Sequence, residues 1–504
     1  MEIGIRTRRR LFKRALLLCL TGLICYKLLH DFHWTREKKT STNHPSSKRD
    51  NITRNVFIPK QELLSVRLSI DKAMTSFRGI DALTDYCNSP SKQTTGDEGT
   101  FSSGFKLRMV HIFIRHGDRT SIHHFPGYIP ETYNCEFSTW YTGSNEKFRS
   151  FPQRMEKYPS EKRRKNPFLT WPQYPNQKTC KDSVLTSRGA LQHLQLGQHF
   201  YDSYIKHSHL FEKSSSNLIY AKSTGTLRTY QSAVAFIYGF LPVTNISSFN
   251  IDYSEDLHFC SKKYSMRVTC SCPHTRDLIA RSKRFQSAIS KNSPYYRTLR
   301  EFYTLFGIDD NDLILLAGIA DALVPTYCHN LTIPCSTFNS SKCVDHSLLG
   351  TIWDAVTYKE FSKWDDPDLN FLKYSSIKMT PVLLEVVDRI KELIENNGKS
   401  TFILYSGHDV TISPLLHVLG LHDGRWPPYA SRVVMELYEK ENEDTNNKFY
   451  LKFLYNGLDK TEKVVFCKNR TLNGLCNFKL FTDFISHELL NRFGYVSYAD
   501  ACLR

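Results

Sequence analysis

The sequence predicts a layered α/β domain with a mainly parallel central sheet and an inserted, mainly helical cap, preceded by an N-terminal transmembrane helix. Three observations predict this arrangement. Strand-like apolar segments alternate with helical segments, a cysteine-rich irregular segment interrupts them at about 250–375, and a short apolar run follows a basic N-terminus. Alternating strands and helices are typical of parallel sheets covered by helices on their faces.

The composition is that of a folded protein. Of 504 residues, 40% are hydrophobic and 23% are charged, so a large core and more than one domain are expected. Fibrous and largely disordered classes are excluded. The net charge of +17 favours anionic partners, namely phosphorylated substrates, sulfated polysaccharides, nucleic acid or anionic lipid, and it fits a mixed solvated surface equally well.

The N-terminus is predicted to be a membrane anchor. A basic cluster at 6–14 precedes an apolar run at 15–26, which Leu28 and Leu29 extend. A cleaved signal peptide is the alternative, but no small-residue cleavage pattern follows the run. Because a basic flank stays in the cytoplasm, we expect a single-pass type II orientation with a lumenal body. The predicted segments are a cytoplasmic tail at 1–14, a signal-anchor helix at 15–32 and a polar stem at 33–85.

Cysteines and sequons indicate an oxidising compartment. Twelve cysteines follow the apolar run, an even number that permits six disulfides and leaves their connectivity open. Cys270 and Cys272 lack a second ligand pair at zinc spacing, so no metal site is predicted. Five glycosylation sequons lie at Asn51, Asn245, Asn330, Asn339 and Asn469. These features predict a glycoprotein of the secretory pathway.

The first strands and helices follow from apolar periodicity. Apolar side chains recur at alternate positions in residues 107–114, which are therefore predicted to form a buried strand. Thr186 or Ser187 can cap a helix. A short strand is predicted at 218–221, and a helix is predicted at 226–236.

The C-terminal half repeats this pattern. Thr380 and Pro381 predict the start of an amphipathic helix, because threonine is a good N-cap and proline suits the first helical position. This helix is predicted to end near Gly398, before a strand at 401–405 and a further helix. Pro414 is tolerable in that helix if it lies in the first turn.

Two histidine-bearing loops directly follow predicted strands. Arg115, His116 and Arg119 follow the first strand, and His408 and Asp409 follow a late one. Active sites of parallel sheets lie beyond the carboxyl ends of strands, so we expect the two loops to meet although about 290 residues separate them. The predicted α/β domain comprises 86–250 and 376–504, and the cap comprises 251–375.

The loop at 115–119 suits phosphate chemistry. Two guanidiniums flank one imidazole, and arginine forks bind phosphate oxygens bidentately. A neutral histidine can attack phosphorus to form a phosphohistidine, while arginines neutralise the phosphoryl oxygens in place of Mg²⁺. No cofactor is therefore expected. A surface loop without chemistry is the alternative that these residues alone leave open.

The same segments resemble the signatures of the histidine acid phosphatases. The family's Arg-His-Gly-x-Arg-x-Pro loop is matched at 115–121, with Ser121 in place of the proline. Its His-Asp pair is matched at 408–409, and its Ser-Thr-x-x-x-Arg-Thr context is matched at 223–229. The segment at 185–189 is also similar. The matches occur in the family's order and span roughly 105–420.

This resemblance implies a metal-free phosphomonoesterase. It implies that His116 is the nucleophile and that Asp409 protonates the leaving alcohol and then helps activate water. The residues that would hold the phosphate are Arg115, Arg119, Arg228 and His408. Ser121 bears on substrate fit more than on reaction type.

Further segments resemble a Golgi branch of the family that removes the 2-O-phosphate of xylose in the glycosaminoglycan–protein linkage region. They are the segments 110–119, 238–242, 328–335 and 455–457. This resemblance implies a Golgi membrane location, a phosphorylated xylose of a proteoglycan linkage oligosaccharide as substrate, a glycosyltransferase of that pathway as partner, and no nucleic acid.

Two alternatives to this function stay open. One is a broad acid or inositol-phosphate phosphatase of the same family, because the cap that selects the leaving group carries the weakest sequence signal. The other is an inactive glycosaminoglycan-binding protein. The intact His116, Arg228 and Asp409 argue against it, because binding alone needs none of them.

Overall fold

The structure, a computed structural model, describes residues 78–504 apart from short gaps. The gaps are 101–102, 126–127, 129–131, 157–166, 176–178, 208–218, 242–249, 262, 266–269, 292, 294, 309–315, 337–341, 397, 399–400 and 443–446. The predicted tail, anchor and most of the stem lie outside the described residues, as do Asn51, Asn245 and Asn339. In the part that is described, no helix is long and apolar enough to cross a membrane.

A mixed sheet of nine strands forms the centre of the described fold. The strands are β1 (Phe105–Arg115), β2 (Tyr133–Asn134), β3 (Thr179–Cys180), β4 (Ile219–Thr224), β5 (Ile251–Ser254), β6 (Thr401–Gly407), β7 (Arg432–Lys440), β8 (Phe449–Tyr455), β9 (Leu458–Asp459), β10 (Thr471–Leu472) and β11 (Leu475–Asn477). The order in the sheet is β10-β11-β8-β7-β1-β6-β4-β5, with β9 on β8, while β2 and β3 pair separately.

The prediction of a mainly parallel sheet is wrong. Strands β1, β6, β4 and β5 are parallel to one another, whereas β7 is antiparallel to both β1 and β8, and β8 is antiparallel to β11. Strands joined by a short connection without a crossover helix pair antiparallel. The alternation of strands with helices in the sequence predicts only the parallel strands. The antiparallel half of the sheet, which includes β7 and β8, was therefore not predicted.

Thirteen helices lie in the described residues, and some of them cover the two faces of the sheet. They are α1 (Gly79–Cys87), α2 (Phe137–Trp140), α3 (Glu146–Glu156), α4 (Ser187–Phe200), α5 (Leu227–Phe240), α6 (Pro273–Lys291), α7 (Tyr296–Phe306), α8 (Leu316–Cys328), α9 (His346–Phe361), α10 (Asn370–Glu395), α11 (Asp409–Leu419), α12 (Phe478–Asp483) and α13 (Tyr498–Leu503). Helices α4 and α5 contribute to the apolar core on one face, and α10 and α11 contribute to the core on the other.

Strand β1 is buried on both faces, as predicted. Val110 and Ile112 belong to the core with α4 and α5, and Met109 and Phe113 belong to the core with α10 and α11. Successive side chains of a strand point to opposite faces, so apolar residues at every position require a covered sheet. The two helices that follow also start as predicted, since Thr186 caps α4 and Thr226 precedes α5.

Two predictions about prolines are wrong. Helix α10 begins ten residues before Thr380, and Pro381 lies inside it. Burial of Phe371 and Ile377 in the first turns offsets the cost of the missing proline N–H. Pro414 is the sixth residue of α11 rather than part of its first turn.

The segment predicted as the cap is helical in its described residues after its first strand. Residues 251–254 form β5 at the edge of the sheet, so the boundary predicted at 251 falls inside the sheet. From here on, the cap means helices α6 to α9. Phe302, Ile319 and Trp353 lie in the apolar core of the cap.

Helix α1 belongs to the folded body. Leu83 is fully buried in the same apolar core as the cap helices. Gly79 donates its backbone N–H to Asp354 of α9 at 2.7 Å. The body therefore begins by Gly79, within the stretch predicted as stem, rather than near Cys87. The sequence did not indicate this start, because residues 61–100 are ambiguous in pattern and a nine-residue helix carries little periodic signal.

All twelve cysteines of the described residues are paired. The pairs are Cys87–Cys328, Cys135–Cys180, Cys260–Cys270, Cys272–Cys502, Cys335–Cys343 and Cys467–Cys476. Cys270 and Cys272 belong to different disulfides, so they do not act as a metal-binding pair. The Asn330 and Asn469 sequons both lie on the surface, where a glycan can be accommodated.

Candidate active site

Neighbouring parallel strands bring the two predicted histidine loops together. Arg115 at the end of β1 pairs with Gly407 at the end of β6, and β4 lies on the other side of β6. Because the strands are parallel, His116 and His408 follow at the same edge of the sheet. Their ring centroids are 5.5 Å apart.

Close backbone packing shapes the loop around His116. A Cβ atom on Gly117 would lie 2.4 Å from the carbonyl oxygen of Gly189, and a Cβ on Gly189 would lie 2.2 Å from that of Asp118. Both positions therefore require glycine. This contact explains why the 115–119 loop and the 185–189 segment occur together in the sequence pattern.

The His116 ring presents one free nitrogen. Its Nδ1 lies 2.8 Å from the carbonyl oxygen of Gly117, which can only accept, so Nδ1 carries the proton and Nε2 keeps a lone pair. The residue is 2% exposed. Burial, followed by the positive charges of Arg228 and Arg115, holds its pKa well below the usual value. The imidazole is therefore neutral and able to act as a nucleophile.

Arg115 is fully buried and fixed from several sides. Its Nη1 donates to the carbonyl oxygen of Pro427 at 2.5 Å, and its Nη2 donates to the Tyr86 hydroxyl at 2.8 Å. The guanidinium also lies over the Tyr429 ring, 4.6 Å from its centroid. Such an arginine needs no reorganisation when an anion arrives.

Arg119 and Arg228 approach the same centre from two other elements. Arg119 forms an ion pair with Asp321 of α8. Arg228 in the first turn of α5 has its Nη2 3.5 Å from Nδ1 of His408. Burial, together with the charge of Arg119, lowers the pKa of Arg228 to about 10. Three positively charged guanidinium groups close to one another thus favour the binding of an anion.

The three arginines also have hydrogen-bond donors without a partner, and such donors are suited to bind that anion. The Nε atoms of Arg115, Arg119 and Arg228 are buried and lack a hydrogen-bond partner among the described residues. A buried donor without a partner costs free energy, and native structures keep few of them. Phosphate oxygens are acceptors that match these donors.

His408 is held by the end of β4 and the first turn of α5. Its Nδ1 faces Arg228, which can only donate, so Nε2 carries the proton and donates to the Thr224 hydroxyl at 2.9 Å. Burial, followed by the charge of Arg228, lowers its pKa to about 3. Neutral His408 therefore adds no further positive charge to the site.

Asp409 lies beside this cluster as the first residue of α11. Burial raises its pKa, but the charges of Arg115 and Arg119 and the hydrogen bond from Trp426 outweigh burial and lower the pKa to about 2. Its Oδ2 lies 3.7 Å from Nη2 of Arg115 and accepts from the indole Nε1 of Trp426 at 2.5 Å. The carboxyl group is thus ionised before substrate binds.

Ser121 attaches the loop to the cap. Its hydroxyl lies 3.3 Å from the carbonyl oxygen of Ala322 and 3.2 Å from the Tyr133 hydroxyl. Asp321 accepts the backbone N–H groups of Ile122 and His123 at 2.7 and 2.9 Å. Hydrogen bonds to α8 therefore hold this part of the loop, where the family pattern has a proline.

Sequence reasoning missed several residues that support this site. Asp118, inside the signature, is buried and accepts from Thr186, Arg188 and His329. The others are Tyr86, Asp321, Trp426, Pro427 and Tyr429. The run Trp-Pro-Pro-Tyr at 426–429 was an available signal, because two prolines beside two aromatic rings form a rigid loop. The remaining residues come from distant segments and carried no local pattern.

Comparison with known proteins agrees with the signatures. The sequence model of the histidine phosphatase superfamily (branch 2) matches residues 106–310 and 377–456. The chain belongs to this superfamily. It is therefore a phosphoric monoester hydrolase, and the α/β fold with its mixed sheet is that of the histidine phosphatases.

Several known proteins are similar to this chain. Human 2-phosphoxylose phosphatase 1 is 30% identical and covers 83% of this chain and 86% of its own. Counting factor 60 of Dictyostelium discoideum is 26% identical, and the match covers 83% of this chain and 92% of that protein. Bovine prostatic acid phosphatase is 24% identical, and the match covers 68% of this chain and 77% of that protein. The apo phytase of Hafnia alvei superposes with a TM-score of 0.48 at 14% identity, covering 78% of this chain and 99% of its own.

Proposed function

We propose that this histidine phosphatase removes the 2-O-phosphate of xylose in the glycosaminoglycan–protein linkage region through a phosphohistidine on His116. The main support for a hydrolytic site here is that three buried arginine Nε donors without a hydrogen-bond partner surround a neutral imidazole. The similarity to 2-phosphoxylose phosphatases over 83% of the chain supports the substrate.

In the first step, Nε2 of His116 attacks phosphorus while the ester oxygen leaves. Arg115, Arg119 and Arg228 hold the three phosphoryl oxygens and offset the charge that builds on them. His408 contributes a further contact on the Arg228 side. As the N–P bond forms and the P–O bond breaks, the leaving oxygen must gain a proton.

Asp409 supplies that proton in our proposal. It is ionised in the free protein, so the proton enters with a monoanionic phosphate ester or is taken up when the bound phosphate offsets the charge of the arginines. In the second step, water attacks phosphorus and the N–P bond to Nε2 of His116 breaks, while Asp409, ionised after giving up its proton, accepts a proton from that water. The same residue thus serves as acid and then as base.

The proposed location and partners follow from the N-terminal sequence and the relatives. We expect a Golgi membrane protein of single-pass type II orientation, with the catalytic body in the lumen and a glycosyltransferase of the linkage pathway nearby. The six disulfides and the two surface sequons support an oxidising compartment. Fusion of a glycosylation-site reporter to each end of the full chain would test the orientation.

Phosphate release by the purified full-length protein tests the proposal. The substrates are a linkage oligosaccharide carrying 2-phosphoxylose, an inositol phosphate and an aryl phosphate. We expect preference for the oligosaccharide, and we expect His116→Ala to abolish turnover. His487→Ala, which removes an exposed histidine, serves as the matched control.

The outcomes separate the three functions. Equal turnover of all substrates would retain the phosphatase and reject the xylose assignment, and preference for the inositol phosphate would favour the family alternative. Undiminished turnover by His116→Ala would reject the nucleophile. Absence of turnover with retained heparin binding would favour a glycosaminoglycan-binding protein.

A further inference from the structure

The loop between α11 and β7 is fixed against the end of β1. The carbonyl oxygen of Pro427 accepts from Arg115 at 2.5 Å, and the backbone N–H of Ala430 donates to the carbonyl oxygen of His116 at 3.1 Å. Trp426 precedes these anchors and is half-buried, with its ring edge-on to Tyr86 at 6.4 Å between centroids. Its indole is therefore held at a defined place beside the site.

The indole of Trp426 donates to the carboxyl group of Asp409. The distance from Nε1 to Oδ2 is 2.5 Å, and the indole N–H can only donate. The backbone N–H of Val410 donates to the other oxygen, Oδ1, at 2.8 Å. Two donors, one on each oxygen, thus fix the plane of the carboxyl group, which is 17% exposed.

We propose that Trp426 is a positioning residue that orients Asp409 and stabilises its ionised form, and so sets the pH range in which Asp409 protonates the leaving group. This inference rests on the proposed function. A donor that cannot accept favours the carboxylate over the carboxylic acid. Asp409 then releases its proton readily to the ester oxygen, and the indole keeps its own proton throughout.

Other charged or titratable groups also face Asp409 and must be kept constant. They come from β1, the loop after it, α1, α5 and the residue before α11, and they are Arg115, Arg119, Tyr86, Arg228 and His408. A change confined to the indole nitrogen leaves all of them in place. Trp426→Phe removes the donor and retains most of the aromatic packing.

The pH dependence of kcat tests the inference. Wild type and Trp426→Phe are compared on an alkyl phosphate, whose leaving group needs a proton, and on an aryl phosphate, whose leaving group needs little help. Without the donor, the pKa of Asp409 in the substrate complex rises, so the alkaline limb on the alkyl ester moves up by about one pH unit. The aryl ester is expected to show less than a threefold change in kcat.

A matched control separates this effect from loss of any indole. Trp364→Phe removes an indole whose Nε1 donates to Nδ1 of His422 at 3.1 Å, and it is expected to leave the alkaline limb of the kcat profile at the same pH. Should Trp426→Phe not fold, benzothienylalanine at position 426 replaces the N–H by sulfur in a ring of nearly the same size. An unmoved alkaline limb in a folded Trp426 variant would overturn the inference. An inactive wild type would instead overturn the proposed function, and with it this inference.

Discussion

At the residue scale, the proposed acid role of Asp409 predicts different losses on two kinds of phosphate ester, those whose leaving group needs a proton and those whose leaving group does not. We expect Asp409→Asn to lower kcat on an alkyl phosphate by about 10²–10⁴-fold, because the amide cannot donate a proton in the way a carboxylic acid does. An aryl phosphate is expected to lose far less. Steady-state kinetics on both esters measure the ratio, and equal losses would contradict the acid role. Asp182→Asn, at an exposed carboxylate, is the control.

The pH profile gives a second test at this scale. Burial and the nearby arginines hold the pKa of His116 well below 6.5, so the neutral, nucleophilic form persists as the pH falls through the usual histidine range. We therefore expect kcat/KM on an aryl phosphate, which reports the free enzyme, to show no acid limb between pH 6 and 7. An acid limb with an inflection near pH 6.5 in the wild-type profile would contradict the assignment.

The residues proposed to carry the chemistry were the easiest to pick out from the sequence. His116, Arg119 and Asp409 lie within short patterns whose spacing the chemistry requires, and the structure brings them together. Asp321 could not be found in this way, and the Trp-Pro-Pro-Tyr run indicates a rigid loop at Trp426 without indicating what the indole contacts. Their contacts depend on how the cap and the 420–431 loop pack on the sheet, which no local pattern encodes.

At the scale of elements, Asp118 links the signature loop to α4 and to the end of α8. Burial raises its pKa, but His329 and Arg188 outweigh burial and lower it, so the carboxylate is ionised. We expect Asp118→Asn to lower the free energy of unfolding by about 3 kcal/mol, because the amide places a donor against donors and leaves Arg188 buried without its partner.

Denaturant unfolding with parallel kinetics checks this role. The same variant is expected to lower kcat, since the loop carries His116. Unchanged stability would show that the network is dispensable. Lys92 and Asp85 form an exposed ion pair, so Asp85→Asn is the control and is expected to change stability by less than about 0.5 kcal/mol.

Element boundaries show where sequence reasoning reaches its limit. Strand β1 and helix α4 were predicted because apolar spacing and a capping threonine coincide there. Helix α10 was predicted to start too late, because a Thr-Pro pair that can open a helix can also lie within one when packing offsets the proline. Strands β7 and β8 were missed because no crossover helix separates them.

At the scale of the molecule, the Cys87–Cys328 disulfide closes 241 residues between α1 and the cap. In the chain-entropy description, a long closed loop restricts the unfolded chain more than a short one. We expect loss of this disulfide, in Cys87→Ser with Cys328→Ser, to destabilise the fold by about 3 kcal/mol more than loss of Cys335–Cys343, which spans 8 residues. Thermal unfolding of the two double variants compares them, and equal losses would contradict the expectation.

The pairing of Arg115 with Gly407 has a consequence for how the enzyme acquires activity. The two histidine loops adjoin once β6 has inserted beside β1, and about 290 residues must be synthesised between the two loops before this can happen. Contacts between such distant segments form slowly, because the long intervening chain must first be closed. The nascent N-terminal part therefore carries the proposed nucleophile and the three arginines without His408 and Asp409, and we expect catalysis to begin only with completion of the sheet.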